Sequence, residues 1–285
     1  MKNQKAIVTI AIGEMYVECW KKYCQPNWQA YAHKYGHDLI CLEHPLDLSS
    51  RAKLRSPAWQ KCLILSRGFA SDYQTVVWID SDIVINDKAP DVAIGVPANK
   101  VGAVDAYEFS EVFPKRVYKM WPDFVQSPTP QVYYRNYGLP DDVDRAINTG
   151  VMVLSPSYHR ALLELVYNNY EEKGGREWNM EQRPLSYELL KGGHVHFLDP
   201  RFNVMLSIEQ VTYYPFLLPE PATPKKKGLL ERVERKMWKL LGDPLQKLRI
   251  DAVNTVYQSS FFLHFGETMD QMPMVNPGAV SWWKI

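Results

Sequence analysis

The chain has 285 residues, a length that fits one large domain or two small ones. Its composition, 46% apolar and 23% charged, is typical of a soluble globular protein. The formal net charge of +1 excludes the strongly basic balance of a chain whose main partner is nucleic acid. No apolar stretch approaches the ~18 residues that a membrane-spanning helix needs. We therefore expect a soluble, cytoplasmic protein.

The N-terminal stretch MKNQKAIVTIAIGEM carries two lysines before an apolar run that stops at Gly13-Glu14. No small-residue cleavage site follows, so the run predicts a first strand and not a signal peptide. The four cysteines all lie in the first quarter of the chain, and none forms a CxxC pair. We expect buried thiols in a reducing compartment, without a disulfide framework or a zinc site.

Strand and helix patterns alternate along the first 80 residues. In chain order they predict a strand over 6–12, a helix over 14–35 that Pro26 breaks or kinks, a strand over 38–42, a helix over about 57–67 and a strand over 75–79. This alternation predicts a parallel α/β sheet. Ligands bind such sheets at the carboxyl ends of the strands, which is where Asp80 and Asp82 lie.

The alternation continues after Asp82. It predicts strands over 101–104, 148–154 and 195–198, and helices over 158–173 and 181–191. Residues 113–145 are rich in Pro, Tyr and charge and predict an irregular loop, and a loop of this length is often a lid or a substrate wall. The fold expected is a mixed, mostly parallel central sheet flanked by helices.

A linker and an amphipathic helix are predicted over residues 219–258. Pro219, Pro221 and Pro224 favour an extended linker, and apolar residues then recur at helical spacing with Lys and Arg on the other face. Two interpretations stay open. The helix contacts an anionic membrane through residues 225–250, or it is an ordinary surface helix that packs on the domain.

The stretch VVWIDSDIVIN, residues 76–86, places the carboxylates of Asp80 and Asp82 at the end of an apolar strand. Side chains two positions apart share one face of a strand, and a bend after Ile79 can direct both toward one point. Two adjacent carboxylates raise each other's pKa unless a cation lies between them. Since hard oxygen ligands suit Mg²⁺ or Mn²⁺, the pair predicts a divalent-metal site that substrate phosphates complete. The alternative is a solvated Asp-Ser-Asp turn.

One family resemblance rests on this motif alone. The segment DSDIV, residues 80–84, resembles the haloacid-dehalogenase phosphatases, in which the first Asp is a nucleophile. Those enzymes also need paired acids after a later strand. Asp141-Asp142 is the only such pair, and it follows Leu-Pro in a predicted loop.

A second resemblance extends along the chain. The matching segments are IVTIA (7–11), PAWQK (57–61), VVWIDSDIVI (76–85), INTGVMVL (147–154), WN (178–179) with EQ (181–182), and HFG (264–266). In this order they resemble motifs of the GT-A-type nucleotide-diphospho-sugar glycosyltransferases, especially galactosyl- and mannosyltransferase-like members. The resemblance implies a Rossmann-related GT-A fold, a Mn²⁺ or Mg²⁺ cofactor, a nucleoside-diphosphate sugar donor and a glycan or glycoprotein acceptor.

The same resemblance implies roles for single residues. The expected metal ligands are Asp80, Asp82 and His264, and the expected donor-binding residues are Thr9, Ala11, Lys61, Asp80, Ser81 and Asn148. Glu181 is the expected catalytic carboxylate or sugar-orienting group. Asp105 and Asp199, which follow predicted strands, are the other candidate bases.

Several of these residues also fit structural roles. Lys61 fits an ordinary exposed helix lysine, and His264 lies among phenylalanines and fits a core residue. Asn148 at a strand start fits a turn residue whose amide bonds to its own backbone. Glu181 at a helix start fits a residue held by the helix dipole. A non-catalytic sugar- or protein-binding module is the alternative function from a different class.

We expect one domain over 1–285 in which different segments bind the nucleotide and the acceptor. Residues 1–105 form the nucleotide-binding half, residues 106–218 and 259–285 the acceptor and catalytic half, and residues 219–258 the linker and helix. Residues 107–145 and 219–258 match no known acceptor-binding segment. The sequence therefore predicts the reaction class but not the acceptor.

Overall fold

The computed structural model describes residues 3–108, 127, 129–173, 180–218 and 245–277. The strands are β1 (Lys5–Ile10), β2 (His37–Leu42), β3 (Thr75–Ile79), β4 (Ile83–Ile85), β5 (Val101–Asp105), β6 (Ile147–Leu154), β7 (Val195–Phe197), β8 (Val204–Met205) and β9 (Phe262–His264). The α-helices are α1 (Glu14–Cys19), α2 (Gln25–Tyr35), α3 (Ser50–Lys53), α4 (Pro130–Tyr137), α5 (Pro156–Asn169), α6 (Gln182–Lys191), α7 (Leu206–Tyr213) and α8 (Gln246–Ser259). Helical segments of other types cover Trp20–Cys24, Pro57–Ser66, Gly68–Asp72, Pro200–Asn203, Pro215–Leu217 and Met269–Met274.

A six-stranded sheet in the order β2-β1-β3-β6-β5-β7 forms the centre of the fold. Strand β1 runs parallel to β2 and β3, and β5 runs parallel to β7. Strand β6 lies between β3 and β5 and is antiparallel to both. The expected mixed, mostly parallel sheet flanked by helices is thus confirmed.

Both faces of this sheet are covered, so the inner strands β1, β3 and β6 read as largely apolar runs. Ile7 and Val77 pack in one core with residues of α2 and α8. Their neighbours Val8 and Val76 point the other way and pack in a second core with residues of α5 and α6. Because both faces are covered, ligands approach this sheet at the ends of its strands.

A second sheet of three short strands, in the order β4-β9-β8, was not predicted. Strand β4 begins directly after Asp82, so the chain passes from the large sheet to the small one through Asp80-Ser81-Asp82. Strands of two or three residues are too short to give a periodic signal, and the run FFLHF predicted burial only. This crossing point positions the candidate site.

Two local expectations need correction. The break near Pro26 lies earlier, because a π-helical segment over Trp20–Cys24 joins α1 to α2, and Pro26 lies in the first turn of α2, where its missing N–H costs nothing. The expected irregular segment 113–145 contains helix α4. Thr129 caps it by accepting a hydrogen bond from the amide of Val132, and Gly138 ends it at φ 88°. Helix start and stop signals were therefore present in the sequence.

Residues 219–244, which carry the predicted linker and most of the predicted amphipathic helix, lie outside the described residues, as do 113–126 of the predicted loop. The end of the 219–258 segment forms α8. None of the helices in the described part of the chain has both the length and the apolarity that crossing a membrane requires.

Candidate metal centre

Backbone pairing brings Asp80, Asp82 and His264 together. Asp80 follows β3, and its amide donates a hydrogen bond to the carbonyl of Gly150 in β6 (2.8 Å). Asp82 precedes β4, and its carbonyl accepts from the amide of Phe265 (2.9 Å). His264 ends β9, where it is the register partner of Ile83. All three side chains therefore lie where the two sheets meet.

The ligand atoms of these three side chains lie within 4.8 Å of one another. The Nε2 atom of His264 is 3.2 Å from Oδ1 of Asp82 and 4.0 Å from Oδ2 of Asp80. Adjacent ligands in an octahedral Mg²⁺ shell lie about 3 Å apart and opposite ligands about 4.2 Å apart. Two carboxylates and one imidazole are also a donor set that suits Mn²⁺. The residues therefore fit a divalent cation.

Asn203, which the sequence analysis missed, fixes the orientation of the histidine. The Nδ1 atom of His264 donates to Oδ1 of Asn203 (2.9 Å), and both side chains are buried. Nε2 is thereby left to face the carboxylates, which is how outer-shell groups orient metal-binding histidines. Asn203 is the residue directly before β8, and only the tertiary fold identifies it as the partner of His264.

The charges of Asp82 and His264 support each other. Burial alone would raise the pKa of Asp82, but the neighbouring His264 outweighs burial and lowers it. Burial alone would lower the pKa of His264, but Asp82 outweighs burial and raises it. Because a metal ligand must be the neutral imidazole, protonation of His264 would oppose cation binding at this site.

Gly150 provides the space that the His264 ring occupies. A Cβ atom at this position would lie 2.7 Å from Cε1 and 2.9 Å from Nδ1 of His264. Real Cβ contacts are not this short, so the ring could not keep its place. The glycine of the NTGVMVL strand is therefore a spatial requirement of the site.

Gly150→Ala is expected to displace His264 and weaken Mn²⁺ binding about 10-fold or more, since loss of ligand orientation costs about 10–100-fold in affinity. Overpacking should also lower the free energy of unfolding by about 1–3 kcal/mol. Mn²⁺ affinity by electron paramagnetic resonance and urea denaturation would measure the two effects. Gly68→Ala is the matched control, because a Cβ atom there meets nothing within 4 Å. Equal Mn²⁺ affinity in both variants would contradict the packing argument.

Lys61 is buried and bridges two carboxylates, so it is not an exposed helix lysine. Its Nζ atom lies 2.8 Å from Oε1 of Glu181 and 3.1 Å from Oδ1 of Asp80. Burial would lower the pKa of Lys61, but Asp80 and Glu181 outweigh burial and raise it. Trp78 donates to the same Asp80 oxygen through its Nε1 atom (2.8 Å). Asp80 is thus fixed by two donors.

Glu181 lies just before α6 but does not cap it, since no side-chain cap hydrogen bond is formed. Its Oε1 atom accepts from Nζ of Lys61 and from Oγ1 of Thr149 (2.9 Å). Its Oε2 atom is buried and has no hydrogen-bond partner among the described residues. A buried carboxylate oxygen without a donor is costly, and such atoms often mark a place where a ligand binds.

The other donor-binding candidates make contacts within the protein or are buried. Asn148 accepts a hydrogen bond from the amide of Gly150 (2.8 Å), as the turn interpretation predicts. Thr9 and Ala11 are buried at the end of β1, and Oγ1 of Thr9 has no partner in the described ranges. The carbonyl of Ser81 accepts from Sγ of Cys24 (3.4 Å).

Asp105 and Asp199 have partners of their own. Asp105 at the end of β5 pairs with Nε of Arg145 (2.5 Å). Asp199 lies before the helical turn Pro200–Asn203 and pairs with Arg201 (2.6 Å). Neither carboxylate belongs to the metal-ligating cluster found among the described residues.

Comparisons with known proteins bear on the fold. No family model matches the chain, and no curated protein matches it. Among solved structures, it is similar to a glycosyltransferase involved in the glycosylation of the major capsid of PBCV-1, with 15% identity, a TM-score of 0.50 and coverage of 95% of this chain and 100% of that chain.

Two further solved structures resemble the chain more distantly. One is the galactosyltransferase LgtC with donor and acceptor sugar analogues, at 14% identity, a TM-score of 0.41 and coverage of 83% and 95%. The other is the bifunctional glycosyltransferase WbbM, at 13% identity and a TM-score of 0.48, where 99% of this chain spans 51% of that one. At such identities the likeness concerns the fold, and the chain has the GT-A-like architecture expected from its sequence.

Proposed function

We propose that the chain is a metal-dependent glycosyltransferase that moves a sugar from a nucleoside-diphosphate donor to a hydroxyl of a glycan or glycoprotein. The observation that carries the proposal is the convergence of Asp80, Asp82 and His264 at the carboxyl end of β3. The fold shared with the glycosyltransferase of PBCV-1 capsid glycosylation supports it. Two independent arguments, from chemistry and from architecture, thus favour the same reaction.

The charge of the site favours a divalent cation. Asp80, Asp82 and Glu181 contribute three negative charges, and Lys61 contributes one positive charge. With His264 neutral the group carries a net charge of about −2, which a single Mn²⁺ or Mg²⁺ balances. Such a cation, when bound, would stabilise the charge that grows on the diphosphate leaving group.

Within this proposal the protein side chains bind and orient. Asp80 and Asp82 hold the cation together with His264, and the ion pair with Lys61 keeps Asp80 in place. Glu181 is favoured as the carboxylate that orients sugar hydroxyls, because its Oε2 atom lacks a partner among the described residues and its Oε1 atom is linked through Lys61 to Asp80. Asp105 and Asp199, which pair with arginines, are second choices.

The donor site is proposed to lie in residues 1–105 together with Asn148, with the end of β1 at the nucleoside. Thr9, Ala11, Ser81, Asn148 and the Lys61–Asp80 pair would contact the donor or support its contacts. Residues 106–218 and 259–285 would then bind the acceptor and contribute His264. A contact between residues 225–250 and a membrane surface stays a prediction that lies largely outside the described residues.

A phosphatase of the haloacid-dehalogenase type is not favoured. Its second acid pair would have to be Asp141-Asp142, and these side chains are engaged elsewhere. Asp141 pairs with exposed Arg135 (2.6 Å), and Asp142 accepts from the hydroxyl of Tyr187 (3.0 Å). Neither belongs to the cluster of metal-ligating groups in the described part of the chain.

Nucleotide binding tests the proposal directly. UDP, GDP or dTDP at roughly 100 times its dissociation constant should raise the melting temperature by about 5 °C with Mn²⁺, and by much less with EDTA. Differential scanning fluorimetry measures the shift. No shift with any of the three nucleotides would contradict the proposal. A shift without transfer or hydrolysis of any nucleotide sugar would instead favour the non-catalytic binding module.

A further inference from the structure

One face of α2, continued by Cys24 at the end of the preceding π-helical segment, contacts the backbone around and after Asp82. Cys24, Asn27, Trp28, Tyr31 and Tyr35 follow the spacing i, i+3, i+4, i+7 and i+11, so they share a side of the helix. Each directs a polar atom at a backbone group between residues 81 and 92. The face that the sequence presents as aromatic and apolar is thus also a row of hydrogen-bonding groups.

Two of these side chains close the open edge of β4, the outer strand of the small sheet. The amide of Asn27 accepts from the backbone N–H of Ile85 (2.7 Å) and donates to the carbonyl of the same residue (2.5 Å). The indole Nε1 atom of Trp28 donates to the carbonyl of Ile83 (2.8 Å). Asn27 therefore makes the pair of hydrogen bonds that a neighbouring strand would make.

Backbone hydrogen-bonding groups along β4 point alternately toward β9 and toward α2, which explains why Ile83 and Ile85 can bond to the helix. The carbonyl of Asp82 and the amide of Asn86 both bond toward β9, to Phe265 and Phe261 respectively. In an antiparallel pair the intervening odd positions direct their N–H and C=O groups to the opposite edge. Ile83 and Ile85 therefore face α2, and without the helix their buried backbone groups would be exposed at an unpaired edge.

We propose that Asn27 and Trp28 are positioning residues of the metal centre. The inference rests on the proposed function and adds the residues that set its geometry. On one side, Asp82 is held by the hydrogen bond that its backbone carbonyl accepts from the amide of Phe265. On the other side, the next residue, Ile83, is held by Trp28, and Ile85 is held by Asn27. The separation between Asp82 and His264 is thus set by α2 and β9 together.

The chemistry of each contact allows a narrow test. Trp28 is fully buried, so Trp28→Phe keeps most of the ring packing and removes the indole N–H. The carbonyl of Ile85 also accepts from the hydroxyl of Tyr257 (3.3 Å). Asn27→Leu therefore deprives mainly the amide of Ile85 of its partner. Tyr35→Phe is the matched control, because it removes one hydrogen bond from the same helix, to the carbonyl of Ala89 (2.8 Å).

Mn²⁺ binding is measured without nucleotide by electron paramagnetic resonance, alongside urea denaturation of each full-length variant. We expect Trp28→Phe and Asn27→Leu to weaken Mn²⁺ binding about 10-fold, as lost outer-shell partners do. Tyr35→Phe should lower the urea midpoint less than Trp28→Phe, which also leaves a small cavity, and should leave Mn²⁺ binding within about 2-fold of the unmodified chain. Faster exchange of the Ile85 amide proton in Asn27→Leu would accompany the loss.

The possible results distinguish a failure of the positioning role from a failure of the metal centre itself. If the unmodified chain binds Mn²⁺ and Trp28→Phe binds it equally well, the positioning role is wrong and the metal centre stands. Equal weakening by Tyr35→Phe would also overturn the positioning role, because it would show a general loss of stability. If the unmodified chain binds no Mn²⁺, the metal centre fails and the positioning role fails with it. Should Asn27→Leu not fold, Trp28→Phe decides alone.

Discussion

Asp82→Asn is expected to abolish measurable Mn²⁺ binding, a loss of at least about 100-fold, because it removes an inner ligand where loss of an outer partner already costs about 10–100-fold. The amide has nearly the size of the carboxylate, so the change removes charge while keeping shape. Isothermal titration with Mn²⁺ measures the loss. The stabilisation by nucleoside diphosphate should disappear with it.

Asp199→Asn is the matched control for this change. It makes the same substitution at an exposed aspartate that pairs with Arg201 and lies outside the metal-ligating cluster of the described residues. We expect it to bind Mn²⁺ as the unmodified chain does. If Asp82→Asn keeps the Mn²⁺ affinity of this control, Asp82 is not a metal ligand, and the Asp80-Ser81-Asp82 segment between the two sheets has another role.

The central sheet and the Asp-x-Asp pair were predictable from the sequence for a physical reason. A buried strand such as Thr75–Ile79 must be continuously apolar, so two carboxylates at its end stand out against their surroundings. The alternation of strands and helices then placed that end at a ligand-binding edge. The apolar strand pattern and the position of the strand in the sheet therefore both indicate a site at Asp80 and Asp82.

The rest of the site depends on contacts between distant segments. His264 reaches Asp82 only because a three-residue strand pairs with β4, and strands this short carry no periodic signal. Asn203 and Thr149 are ordinary polar residues in sequence, and only the fold turns their side chains toward His264 and Glu181. For Lys61, helical spacing alone could not distinguish an exposed amine from one enclosed between two acids.

Lys61→Met is expected to lower the free energy of unfolding by about 3–5 kcal/mol, the cost of leaving a buried charge without its partner. Glu181 is only 2% exposed and Lys61 only 4%, so water cannot replace the lost ammonium group. Methionine keeps most of the length and volume of the side chain, so the change in packing is small. Urea denaturation with the midpoint and slope fitted separately measures the effect.

A double variant and a surface control locate the cause. Lys61→Met combined with Glu181→Gln should recover part of the loss, because the unpaired buried charge at Glu181 is then removed, while Asp80 keeps its bond from Trp78. Lys21→Met breaks an exposed pair with Glu43 (2.7 Å) and should change stability by less than about 1 kcal/mol. A loss in Lys61→Met no larger than in Lys21→Met would mean that Glu181 is not held as a charged group. Its proposed part in orienting the sugar would then lose its electrostatic basis.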